Sequence, residues 1–148
     1  MNHHDLTFTR GYIMDEFIKI ELMINVFISQ YFLGKVDTDF VLNVLNNEMS
    51  SFGFKKTILK QILDEKNYQK KFEDLEKLNR IRNLFGHGSL DLKTGEFNAQ
   101  DAEWYLINPK KADDAIDPDT SKKEFDTLLV SVNAWLISVS KNKGIPYP

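Results

Sequence analysis

The sequence predicts an all-α fold, a helical bundle of about five helices, and three observations carry that expectation. Apolar residues recur at helical rather than strand spacing through most of the chain. Gly, Asp and Ser punctuate those stretches where helices start and stop. Only the region 89–118 breaks the pattern, with glycine, proline and many aspartates around scattered aromatic residues. The 148 residues suit one domain spanning 1–148, and 11 Phe, 5 Tyr and 2 Trp supply bulky core material.

A first helix is expected over about 8–33, rich in Ile, Phe, Met and Leu, and closed by Gly34. Asp37-Thr38-Asp39 supplies capping chemistry for a short second helix over 40–49. Ser50-Ser51-Phe52-Gly53 breaks it. A third helix over 55–64 carries Ile58, Leu59, Ile62 and Leu63 on one stripe. A fourth runs over 68–85 and is stopped by Gly86 and Gly88. The region 89–118 reads as an insertion with a small hairpin, from alternation at Ser89-Leu90-Asp91-Leu92 and Glu103-Trp104-Tyr105-Leu106 and a turn at Lys93-Thr94-Gly95. Asp117-Pro118-Asp119-Thr120 opens a last helix to about residue 141, followed by a flexible tail, 142–148.

The net charge of −3 is unevenly spread. Residues 55–93 hold 10 basic and 6 acidic side chains, a net of +4, between two acidic flanks. That segment can attract phosphate on an otherwise acidic chain. Its bland reading is a solvated lysine-rich helix face. The absence of cysteine excludes disulfides, thiolate metal sites and a cysteine nucleophile. No apolar run approaches the ~18 residues of a membrane span, and Met1-Asn2-His3-His4-Asp5 does not look like a signal peptide. A cytoplasmic protein without a membrane partner is expected.

The end of the fourth helix is the distinctive stretch: Leu78-Asn79-Arg80-Ile81-Arg82-Asn83-Leu84-Phe85-Gly86-His87-Gly88. At about 100° per residue, Leu75, Leu78, Ile81 and Phe85 share one arc and Arg82 points into it. Arg80, Asn83 and His87 cluster on the opposite side if the helix persists that far. A charge on an apolar arc needs a partner. Glu21 lies on the inward arc of the first helix, among Phe17, Ile24 and Ile28, so a Glu21–Arg82 ion pair, or a shared subunit interface, is expected. The alternative is an Arg82 that reaches out to water. Taken alone, His87 reads as a basic residue at a helix C-terminus.

Arg82-Asn83-Leu84-Phe85-Gly86-His87 resembles the Arg-x4–6-His motif of HEPN domains, with a polar residue directly after the arginine. Arg80 to His87 fits the same motif with six residues between. The long glutamate-containing first helix and the final packing helix agree with it. The resemblance implies a homodimer whose two motifs meet in a cleft, and a metal-independent endoribonuclease of the kind used as a toxin, in phage defence or in RNA processing. No cofactor is implied. His87 would act as general base or acid. Arg82 would bind and stabilise phosphate, with Asn83 and Arg80 assisting. Many HEPN domains are instead non-catalytic RNA-binding or regulatory protein-interaction modules, which is the alternative reading. Toxins of this family that are modified by nucleotidyltransferase antitoxins often carry a Tyr two residues after the His. Ser89 stands there, so that modification does not carry over, while a cognate antitoxin or regulatory protein stays a possible partner.

The basic segment then gains a use. Lys77 and Lys71 with Arg80 are expected to bind RNA, helped by Lys55, Lys56, Lys60, Lys66 and Lys70. Phe85, Trp104 and Tyr105 are candidate base-stacking residues. His3-His4-Asp5 lacks a fourth metal ligand. The acidic run 113–119 lacks the glycine and closing glutamate of a calcium loop and reads as solvated loop.

Overall fold

Thirty-one residues, His3–Leu33, form one helix, α1. It begins earlier than its apolar pattern because the Asn2 side chain accepts a hydrogen bond from the Asp5 amide at 2.8 Å and caps it. Gly34, at φ 68°, ends it as expected. The computed structural model describes residues 1–47, 49–92, 104–108 and 111–145. Within them α1 is followed by α2 (Thr38–Phe40), a π-helical turn (Val41–Leu45), α3 (Phe52–Leu63), α4 (Glu65–His87), β1 (Ser89–Leu92), β2 (Trp104–Asn108), β3 (Lys111–Ile116) and α5 (Pro118–Lys143). The fold is an all-α helical bundle bearing a small antiparallel sheet.

The short elements follow their caps. Asp37 accepts from the Phe40 amide at 3.0 Å and starts α2, which widens at once into the π-turn and ends at Leu45 rather than 49. Ser51, read as part of a break, is the N-cap of α3, accepting from the Phe54 amide at 3.3 Å. α3 therefore begins at Phe52 rather than at 55. Tyr68, where the fourth helix was expected to start, marks a kink inside α4, at φ −127° and ψ 19°. The far end of α4 runs through Gly86 to His87, past the predicted stop.

The sheet has three strands, ordered β1-β2-β3, where a hairpin was expected. Ser89 opposes Ile107 and Leu92 opposes Trp104. β3 corrects the expectation of a solvated loop over the acidic run. It lies at the sheet edge, with Leu106 opposite Ile116 and Ile107 opposite Ala115. An edge strand is held by its backbone ladder and needs no apolar alternation to form. The turn expected at 93–95 lies outside the described residues. The expected tail is also corrected over 142–145. α5 reaches Lys143, Ser140 donates to the Ile145 carbonyl, and Ile145 is buried. Residues 146–148 lie outside the described residues.

Contacts divide the chain into two compact units. One comprises Met1–Phe17 and Leu75–Val130 and packs Ile13, Phe17, Leu75, Leu78, Phe85 and Phe125 at 1% exposure or less. The other comprises Ile18–Asp74 and Ser131–Pro148. Its core includes Ile24, Phe27, Ile28, Leu59 and Leu136, and Trp135 packs its ring against Tyr68 and Phe72 at centroid distances of 5.7 and 5.3 Å. Each such buried side chain contributes roughly 1.5–3 kcal/mol through removal from water. Among the described residues no helix is long and apolar enough to cross a membrane.

Candidate functional site

The last turns of α4 display two chemically distinct faces. Leu75, Leu78, Ile81 and Phe85 are buried, as their spacing predicts. On the other side Lys77, Arg80 and Asn83, three residues apart, line one cleft of about 650 Å³. Asn79 and Glu76 of α4, Asn108 of β2, Ile116 of β3, and Ser121 and Glu124 of α5 complete much of its lining. Its volume is that of a small-molecule site, typically about 300–1,000 Å³. Lys77 and Arg80 make no ion pair with any described residue. They stand at a concave surface that Glu76 and Glu124 also line.

Because α4 continues to His87, helical periodicity carries that exposed residue onto the side of Arg80 and Asn83. Gly88 fixes where the helix stops. Its amide donates to the Leu84 carbonyl at 2.8 Å, and its carbonyl accepts from Arg10 Nη2 at 2.8 Å. A Cβ on Gly88 would lie 2.3 Å from the Leu84 carbonyl oxygen and 3.1 Å from that of Ile107, so only glycine fits between helix end and sheet. Gly86 differs: a Cβ there would meet only Met14, at 3.6 Å.

Arg82 takes another role. Its guanidinium lies over the Phe17 ring, 4.7 Å from the centroid, and its Nε is buried without a hydrogen-bond partner. It makes no ion pair with a described residue. The expected Glu21–Arg82 pair is therefore corrected. Glu21 is bound by Lys55 instead, Nζ to Oε1 at 2.6 Å, with the Lys55 side chain only 3% exposed. The reading of residue 55 as one of a solvated set of lysines hid this partner. The aromatic face attracts the guanidinium through its ring quadrupole.

The remaining basic residues scatter. Lys71 belongs to the unit without the cleft, and its ammonium donates to Ser131 Oγ at 2.7 Å. Lys60 is paired with Glu65 at 2.5 Å and lies over Phe72. Phe85 is wholly buried and cannot stack on a base. Trp104 is half-buried with its ring edge-on to His3, and Tyr105 is half-buried. Among the described residues no three His, Cys, Asp or Glu side chains are grouped to hold a metal ion.

Sequence reasoning missed Arg10 and the α5 side of the cleft. Arg10 was detectable: on the wheel it falls within the arc of Leu6, Ile13 and Phe17, the same inward-charge signal that singled out Arg82. Glu124 and Ser121 gave no signal, because their place in the cleft depends on how α5 packs. No family model, no curated protein and no solved structure matches this chain.

Proposed function

We propose that this chain is a metal-independent endoribonuclease of HEPN type, working as a homodimer in the cytoplasm as a toxin or defence effector held in check by a cognate antitoxin or regulatory protein. The observation that carries the reading is the single α4 face on which Lys77, Arg80 and Asn83 line one cleft, with His87 following on that side.

RNA supplies its own nucleophile in the 2′-OH. His87 removes that proton, the 2′-oxygen bonds to phosphorus, and the bond to the 5′-oxygen breaks as that oxygen takes a proton from water. The products are a 2′,3′-cyclic phosphate and a 5′-hydroxyl. Arg80, which lines the cleft, takes the phosphate role first expected of Arg82, and Lys77 adds charge as the phosphorane develops. Asn83 donates to a phosphate oxygen or orients the imidazole. The test is cleavage of a mixed-sequence labelled RNA in EDTA. Wild type is expected to yield cyclic-phosphate ends, and His87→Ala to lose about 10²-fold or more. Equal traces from wild type and His87→Ala would remove the catalytic reading.

One observation favours a second reading, a non-catalytic RNA-binding or regulatory module. Arg82, the arginine of the shorter motif, is occupied by Phe17. Overexpression separates the two. A ribonuclease is toxic without its partner and His87→Ala relieves the toxicity, whereas a module shows no such pattern.

A further inference from the structure

The cleft is lined by charges of both signs. Its α4 side carries the cations Lys77 and Arg80 together with Glu76, which has an interaction of its own, and its α5 side carries the exposed carboxylate of Glu124, which has no hydrogen bond or ion pair with a described residue. Leu84 and Ile116 give apolar lining. A ligand that satisfies all three has an anionic end, a flat apolar body and an edge of N–H donors. A carboxylate only accepts, and its two oxygens can take two parallel donors. Of the four RNA bases only guanine offers two adjacent donors on one edge, N1–H and N2–H. Adenine and cytosine place an acceptor beside their amino group, and uracil flanks its single N–H with carbonyls.

We propose that the cleft selects a guanine nucleotide, its phosphate on Lys77 and Arg80 and its Watson–Crick edge on Glu124. The inference rests on the RNA reading of the cleft and adds base specificity to it. Unpaired bases are read on this edge, so the site takes guanosine in a single-stranded segment. Glu124 is then the residue that determines specificity.

The test uses the full chain titrated with 5′-GMP, 5′-AMP, 5′-CMP and 5′-UMP, followed by calorimetry or amide chemical shifts. GMP is expected to bind about tenfold more tightly than the other three, the discrimination of one good bidentate contact. Glu124→Gln, an exposed change on a helix, is expected to abolish that preference, and Arg80→Ala to weaken all four nucleotides. Equal binding of all four by wild type overturns the guanine assignment and leaves the ribonuclease reading standing. A GMP preference that survives Glu124→Gln overturns the role of Glu124. A GMP preference in a chain that cleaves no RNA supports the specificity and removes the catalysis. Failure of every nucleotide to bind overturns the inference, and cleavage in EDTA then judges the ribonuclease reading alone.

Discussion

Arg10 of α1 holds the carbonyl of Gly88 at 2.8 Å, and so ties the residue after His87 to the first helix. A hydrogen bond from a charged donor contributes more than a neutral one, roughly 1.5–3 kcal/mol. Arg10→Ala is expected to lower unfolding stability by about 2 kcal/mol in urea and to speed amide exchange at Gly88. Unchanged exchange there would show that the bond does not hold the helix end.

The two glycines around His87 are expected to behave oppositely. Gly88→Ala forces a Cβ to within 2.3 Å of a backbone oxygen and costs about 2–3 kcal/mol. Gly86→Ala meets only the flexible Met14 side chain inside a helix and stabilises by about 0.5–1 kcal/mol. Thermal melts of both variants check the sign of each.

On the proposed reading, Arg82 serves stability and Arg80 serves RNA contact. Arg82→Ala is expected to cost about 1 kcal/mol through loss of the stacked guanidinium, with Lys a poor substitute because it lacks the planar fork. Arg80→Ala leaves the melt unchanged and weakens RNA binding. If Arg82→Ala proved neutral in a melt and Arg80→Ala did not, the two roles would be reversed.

Lys77 contributes charge without a built partner. Its removal should weaken binding of single-stranded RNA evenly across sequences and reduce the slope of log affinity against log salt by about 0.7, one phosphate's worth. Lys71→Ala, whose ammonium is engaged by Ser131, should leave that slope unchanged. Affinities measured over a range of salt concentrations distinguish them.

The loop before α2 carries a pH dependence with a definite sign. A hydrogen bond from Lys35, aided by the Phe40 amide, holds the Asp37 carboxyl below its ordinary value, and the same contact with Asp37 raises Lys35. A depressed carboxyl stabilises above its unfolded pKa and loses that contribution as pH falls through the folded value. A raised lysine contributes below its unfolded pKa and loses it as pH rises through the folded value. Both contributions are therefore present across neutral pH. Asp37→Asn should flatten the acid limb of the stability profile while its amide oxygen still caps α2. An acid limb identical to wild type would exclude Asp37 as its source.

Elements with a local cause were legible in the sequence. Gly34 ends α1, Asp37 caps α2, and Leu75, Leu78, Ile81 and Phe85 face the core as their spacing required. What depended on distant packing was not. Lys55 and Glu21 lie 34 residues apart, and neither helix alone announces that one will answer the other. β3 was hidden because its aspartates read as a solvated loop, whereas charged residues are also what edge strands carry. The candidate site was half visible. The α4 residues could be placed on faces by counting, but that Arg80 lines the cleft while Arg82 lies over Phe17 waited on the packing of α4. The opposing carboxylate of Glu124 waited on α5.

Gly88 leaves no slack between the last helical residue, His87, and the first strand residue, Ser89. A joint of one residue, clasped by Leu84 and Arg10, has no room to act as a hinge. β2 and β3, which bring Asn108 and Ile116 to the cleft, are thereby geared to the end of α4 through β1. The joint at Gly88 therefore braces this wall of the cleft rather than hinging it, and on the proposed reading less conformational freedom is lost there when a ligand associates.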